Sequence, residues 1–301
     1  MKNLISMRDL SKKEILDLMK LAEKIETGKL KPDMSDKLGA LIFYEPSTRT
    51  QFSFATAMKR LGGQTVTMRG TGSTSVKKGE SFADTLQTIA QYTDIIVIRT
   101  AVEGSARYAS EVVDIPVVNA GDGANQHPTQ ALLDLYSIVK TQGTLENLTI
   151  GVVGDLKFGR TVHSLVQALS DFNPKLYFAS PSHLKMPPYI LDDLREKNIE
   201  FEEIRDIEKI IDKLDLMYVT RIQKERFTDP EDYEKVKGSY IINKNMLKSV
   251  KSNFKVLHPL PRVDEIATDV DDTPYAYYFQ QAKNGVFMRQ AIFTTLLGSA
   301  E

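Results

Sequence analysis

The 301-residue chain contains no cysteine, which excludes disulfides, thiolate catalysis and cysteine-ligated metal sites. It has no surplus of basic charge either: 39 Lys and Arg stand against 40 Asp and Glu, a formal net charge of −1. A surface that coats nucleic acid needs a basic excess, so any anion site must be local, and nucleic acid is not an expected partner. No apolar run approaches the ~20 residues that span a bilayer, so no membrane association is expected. Residues 1–9 lack the apolar stretch of a signal peptide, and the cytoplasm is the expected location. The four histidines, His127, His163, His183 and His258, are scattered without the spacing of paired ligands, so no metal is expected. No Ser/His/Asp nucleophile elbow is visible.

What is present is a regular alternation. Ser11 and Glu14 form a capping-box pattern ahead of Ile15, Leu18, Met19, Ala22 and Ile25 at helical spacing, and Gly28 ends the run. Short apolar segments at residues 40–44, 65–68, 95–98, 117–118, 148–153, 176–179, 216–219 and 254–257 read as strands. Helical patterns at 47–61, 81–92, 103–112, 128–141, 160–170, 189–197 and 287–297 separate or follow them, and 119–126 reads as a glycine-containing loop. Strands alternating with helices predict an α/β fold of parallel sheets flanked by helices. Two such series, joined by the helix that begins at Pro128, predict two doubly wound domains: residues 1–135 with a C-terminal helix 285–301, and residues 136–284.

Several strand-to-helix junctions carry chemistry. Ser47, Thr48, Arg49 and Thr50 open a helix, where unpaired N–H groups and the helix dipole favour a phosphate; three hydroxyls and a guanidinium add donors. Ser and Thr are also ordinary N-caps, but four donors in a row favour an anion site. His127 and Gln130 share one helical face after a strand; His127 suits an oxyanion donor or a capping histidine equally. Residues 154–161 come within one residue of a P-loop, with Arg160 where that loop needs lysine; a planar guanidinium suits a carboxylate better, and an NTPase is disfavoured. Arg221 and Gln223 follow the strand 216–219, at the end where open α/β sheets bind ligands, although charged loops are usually only solvated. His258, Pro259, Leu260, Pro261 and Arg262 form a rigid turn that exposes carbonyls, and the polar loop 73–80 carries Lys77 and Lys78.

Taken together these stretches resemble the carbamoyltransferase family. The run Phe43-Tyr44-Glu45-Pro46-Ser47-Thr48-Arg49-Thr50 is similar to that family's carbamoyl-phosphate signature, and residues 125–130, 154–161, 221–226 and 258–265 match its other motifs in order, across nearly the whole chain. His258-Pro259-Leu260-Pro261 replaces the His-Cys-Leu-Pro of the ornithine branch, which places the resemblance in the aspartate branch. The resemblance implies transfer of a carbamoyl group from carbamoyl phosphate to L-aspartate, an early step of de novo pyrimidine biosynthesis, with no cofactor. It implies that Ser47, Thr48, Arg49, Thr50 and Arg99 hold carbamoyl phosphate, and that His127 and Thr50 polarise its carbonyl. Gln130, Leu260 and Pro261 would complete that site, with the Leu260 carbonyl accepting from the carbamoyl amide. Lys78, Arg160, Thr161, Arg221 and Gln223 would bind aspartate. Ser75 (or Thr74) and Lys78 correspond to a loop that the family inserts into a neighbouring subunit of a homotrimer, and a zinc-containing regulatory chain is a further partner the family uses in larger assemblies. The first domain would then bind carbamoyl phosphate and the second aspartate. Two departures show: Gln51 stands where the family usually has arginine, and Phe158 where many members have tyrosine.

Overall fold

A computed structural model describes residues 1–70 and 75–298. The chain divides into two units, Met1–Leu133 with Lys283–Glu301, and Asp134–Ala282. The division lies two residues before each expected boundary, and Asp134 shows why. Its carboxylate accepts from the Tyr218 hydroxyl at 2.8 Å and the Gln281 amide at 2.6 Å, both in the second unit.

The first unit opens with α1 (Lys12–Glu26), whose N-terminus carries the expected reciprocal capping box of Ser11 and Glu14. Strands β1 (Leu38–Phe43), β2 (Gln64–Arg69), β3 (Ile95–Thr100) and β4 (Val117–Asp122) form a parallel sheet in the order β2-β1-β3-β4. Helices α2 (Thr48–Arg60), α3 (Phe82–Ala90) and α4 (Ser105–Val112) connect them. The path steps from β1 outward to β2, then back across β1 to β3 and on to β4. Right-handed crossovers therefore put α2 on one face and α3 and α4 on the other. The packing agrees. Ala40, Ile42, Ile96 and Ile98 share a core with Leu86 of α3 and Ala106 and Ala109 of α4, while Gly39, one residue out of phase, backs onto Met58 of α2. The reversal of strand order falls between β1 and β3.

In the second unit β5 (Thr149–Val153), β6 (Lys175–Ala179), β7 (Phe201–Ile204), β8 (Leu216–Val219) and β9 (Lys255–Leu257) form a parallel sheet in the order β7-β6-β5-β8-β9. Its reversal falls between β5 and β8. Val153, Ala179, Met217, Val219 and Val256 pack on Ile207, Leu214, Leu247 and Tyr278 across one face. The path runs from β5 through α6 (Arg160–Leu169) to β6, and from β6 through α7 (Pro188–Glu196) to β7. Both units are thus parallel sheets flanked by helices, the predicted fold class.

Helix α5 (Pro128–Gln142) and the long α9 (Tyr278–Leu297) each contribute residues to both units. The sequence places the start of the last helix near residue 287, and the structure starts it at Tyr278, so that Gly285 lies inside it. Gly285 is a packing glycine: a Cβ there would come within 2.9 Å of Leu133 Cδ2. The reading of 119–126 as loop is also corrected. Asn119–Asp122 continues β4, because the Asn119 side chain satisfies the Gly121 amide at 2.8 Å and holds the strand's irregular end in shape. The expected strand 65–68 extends to Gln64–Arg69, and the short β7 and the helix α8 (Pro230–Val236) lie where no element is predicted.

Candidate active site

In open α/β sheets, ligands bind beyond the carboxyl ends of the strands, where the strand order reverses. Each unit has one such point, and several of the candidate residues lie beside it.

At the β1/β3 reversal, Ser47 sits at the N-cap of α2 in extended conformation and makes no side-chain capping hydrogen bond. The helix thus begins on a serine whose hydroxyl is not spent on its own backbone. Thr48 and Arg49 of the first turn are exposed and Thr50 is buried. First-turn amides have no intrahelical partners, so this end of α2 presents donors and a partial positive charge. Across the reversal, Arg99 near the end of β3 is buried, its guanidinium donating to Glu45 at 3.1 Å and to the Ala120 carbonyl at 3.2 Å. A buried cation is tolerated because a carboxylate and a carbonyl face it.

His127 is buried and its carbonyl accepts from the amides of Gln130 and Ala131, so it caps α5 and puts Gln130 on the same first turn. Asp122 builds the loop before it. This buried carboxylate accepts from the Asn119 amide at 2.9 Å, Asn125 at 3.0 Å, and the backbone of Gln126 at 3.1 Å and Gly104 at 2.9 Å. Nothing in the sequence marks Asp122: its spacing of five before His127 carries no signal, and its partner Gly104 comes from another segment, 18 positions away.

Lys78 and Ser75 occupy the 3-10 turn Ser75–Lys78 between β2 and α3, both exposed. Thr74 lies outside the described residues. Gln51 has found a different partner from the arginine usual in the resemblance: its carbonyl oxygen accepts from Arg69 Nε at 2.9 Å.

The β5/β8 reversal holds the second group. Gly154, at φ +119°, lets the backbone after β5 pass directly under Thr220. Asp155 then ties the two loops together, accepting from the Phe158 amide at 2.9 Å and the Gln223 amide at 3.3 Å. Burial pushes the Asp155 carboxyl above its usual range, against those two amide bonds. The Gln223 side-chain amide donates to the Phe158 carbonyl at 2.9 Å, and the Phe158 ring packs edge-on against Phe227. Arg221 is held by both Glu225 oxygens, one at 3.0 Å; that carboxylate raises the arginine and is itself held low by it. Arg160 is buried at the first turn of α6, followed by the half-buried Thr161. Beyond β9, Leu260 takes φ +54° and the Leu260–Pro261 peptide is cis.

Among the described residues no cluster of three His, Asp or Glu side chains could hold a metal ion, and no helix is long and apolar enough to cross a membrane.

The chemistry of these two ends is local cation and donor sets for small anions. Comparison with known proteins agrees in kind. Residues 2–140 match the family model described as aspartate/ornithine carbamoyltransferase, carbamoyl-P binding domain, and residues 146–296 match that of its Asp/Orn binding domain. The chain is 53% identical over 301 residues to the aspartate carbamoyltransferase catalytic subunit of Thermococcus kodakarensis, covering 99% of this chain and 97% of that one. It resembles the solved catalytic subunit of Methanocaldococcus jannaschii aspartate transcarbamoylase with a TM-score of 0.91 at 53% identity, over 99% of this chain and 98% of that one. The aspartate transcarbamoylase of Trypanosoma cruzi, solved with N-(phosphonacetyl)-L-aspartic acid, matches with a TM-score of 0.92 at 36% identity, over 99% and 96%. With family models covering nearly its whole length and relatives this similar, the chain belongs to the aspartate/ornithine carbamoyltransferase family.

Proposed function

We propose that the enzyme transfers the carbamoyl group of carbamoyl phosphate to the amine of L-aspartate, giving N-carbamoyl-L-aspartate and phosphate at an early step of pyrimidine biosynthesis. The observation that carries the choice of acceptor is the pair of guanidiniums, Arg160 and Arg221, at the β5/β8 reversal. Two planar cations match a dicarboxylate; the ammonium tail of ornithine would meet like charge there.

The roles follow the local chemistry. Ser47, Thr48, Arg49 and Thr50 at the α2 N-terminus hold the phosphate, with Arg99 and Lys78 supplying further positive charge. His127 and Thr50 polarise the carbamoyl oxygen, and Gln130 with the Leu260 and Pro261 turn orients the carbamoyl amide. Arg160, Thr161, Arg221 and Gln223 hold the aspartate carboxylates. The neutral amine attacks the carbamoyl carbon, an oxyanion forms, the carbon–oxygen bond to phosphate breaks, and the departing phosphate takes the amine proton. Orienting two small anions against their repulsion is the main contribution, since well-positioned reactants gain ~7–11 kcal/mol over free encounter.

The reading carries with it the homotrimer, with Ser75 and Lys78 (or Thr74) reaching a neighbouring subunit's site, and the cytoplasmic location expected from the sequence. The name "catalytic subunit" borne by the relatives supports a separate regulatory chain, zinc-containing in the family, as a partner.

The test is a direct assay with both acceptors: carbamoyl phosphate with aspartate gives carbamoyl aspartate, and carbamoyl phosphate with ornithine gives no citrulline. Product from ornithine alone would overturn the reading. In the same assay Arg221→Ala is expected to raise KM for aspartate by about 10- to 100-fold, the loss of one charge-assisted contact, while moving KM for carbamoyl phosphate by less than about threefold. Equal shifts in both constants would reassign Arg221.

A further inference from the structure

Leu260 lies in the left-handed region at φ +54°. A residue with a side chain adopts that conformation at an expense of ~1–2 kcal/mol, so the surroundings must hold it there. They do so from within the second unit. His258 is buried, and its Nδ1 accepts the Leu260 amide at 2.7 Å. Its Nε2 lies 2.6 Å from Glu265 Oε1. The other Glu265 oxygen accepts the amides of Val263 and Asp264, each at 3.2 Å, so one carboxylate clasps both ends of the turn. Burial pushes the Glu265 carboxyl up, but the His258 hydrogen bond and the backbone amides outweigh it and leave it below the usual range.

A buried relay stands behind this clasp. The His258 amide donates to Gln281 Oε1 at 2.8 Å, Gln281 Nε2 donates to Asp134 Oδ1 at 2.6 Å, and the Tyr218 hydroxyl donates to Asp134 Oδ2 at 2.8 Å. The imidazole therefore cannot shift without breaking bonds in a solvent-free network, where an unmade bond is expensive. The pattern also assigns the tautomer. A ring nitrogen that accepts a backbone N–H carries no proton, so the proton is on Nε2 and points at Glu265.

We propose that His258, as its Nε2–H tautomer oriented by Glu265, is a positioning residue that presets the Leu260 peptide so that its carbonyl can accept from the carbamoyl amide. The assignment rests on the functional reading above, because only that reading gives the Leu260 carbonyl a substrate group to meet. Asn and Gln separate the two halves of the imidazole: Asn places an oxygen where Nδ1 accepts, and Gln places a nitrogen where Nε2 donates.

H258Q keeps the donor to Glu265 but loses the acceptor for Leu260. It is expected to raise KM for carbamoyl phosphate about tenfold, as for one lost hydrogen bond, with KM for aspartate at saturating carbamoyl phosphate changed less than about twofold. H258N is expected to recover most of that loss. Equal losses in the two variants, with KM for both substrates moving together, would reduce His258 to core packing and overturn the proposal. Independently, 15N-histidine labelling of the unmodified enzyme should show the His258 imidazole, identified by its proximity to the Leu260 amide, as a neutral Nε2–H ring at neutral pH. An Nδ1–H ring or an imidazolium would overturn the pairing even if neither variant folds. Absence of carbamoyltransferase activity in the unmodified enzyme would overturn the functional reading itself; activity with indistinguishable variants overturns only the role of His258.

Discussion

Arg49→Ala is expected to lower kcat by about 100- to 1,000-fold, the loss that follows removal of one preorganised donor from a developing charge. Arg49 is exposed on the first turn of α2, and the core beneath it is made by Phe54, Ala57 and Met58 farther along the helix. Removing the guanidinium therefore deletes charge at the phosphate end and leaves the packing intact. Stability should move by less than about 0.5 kcal/mol, as for surface substitutions generally, and the melting temperature should stay put while turnover collapses. A variant that turns over normally at saturating substrates would remove Arg49 from the site. The same variant tests whether sites are shared between chains. Lys78 sits on an exposed turn. If it serves a neighbour, mixing Lys78→Ala chains with Arg49→Ala chains creates some sites with neither lesion, and activity returns. No recovery after confirmed subunit exchange would place Lys78 in its own chain's chemistry.

Gly154→Ala is the second large effect, and here the damage is structural. At φ +119° the backbone is in a region that side chains rarely adopt, and an added Cβ would lie 2.0 Å from the Thr220 carbonyl oxygen and 3.0 Å from its carbon. The obstacle is backbone, so no rotamer change relieves it. The strand end after β5 must separate from the strand end after β8, and Asp155 must release Gln223 or Phe158. We expect a loss of about 3 kcal/mol or more, from backbone strain together with overpacking. That corresponds to a melting temperature lower by roughly 5 °C or more in a chain of this size. Gly28→Ala is the control: φ is +72° but nothing lies within 4 Å of the added carbon, so only the conformational expense of about 1 kcal/mol remains. Similar melting temperatures for the two variants would show that the contact with Thr220 is relieved cheaply. A stable Gly154→Ala enzyme should still have weakened aspartate binding, because Arg160 and Arg221 ride on the two loops that separate.

Much of the fold was legible because it is written in local terms. Continuous apolar runs such as residues 95–98 mark strands buried on both faces, and Ser11 with Glu14 announces a helix start that the backbone then uses. The edge strand Phe201–Ile204 was not legible: two glutamates fill its centre, as suits a strand with one side unpaired, and no apolar run signals it. The first half of α9 was not legible either; within it a Cβ on Gly285 would press on Leu133, a contact that no local pattern announces. The stretches of the candidate site stood out for a related reason, since hydroxyls, guanidiniums and prolines at strand-to-helix junctions are conspicuous in one dimension. The supports of those stretches were not conspicuous. Asp122 and Asp155 look like ordinary loop acids until their partners from other segments are in place, and His258 shows no sign of its ring pairing with Glu265.

By itself the sequence determined the class of fold, the absence of thiol and cysteine-metal chemistry, and which short segments carry donors for small anions, because each of these depends on residue type, period or neighbours a few positions away. The tertiary structure alone decided the strand orders, and with them the two reversal points where those segments emerge. It also decided which buried carboxylates hold the loops in shape. Asp155 and Gln223 are 68 positions apart, and only a parallel sheet whose order reverses between β5 and β8 makes them neighbours. Hydrogen-bond geometry of that kind is a property of the packed chain, with no local pattern that could encode it.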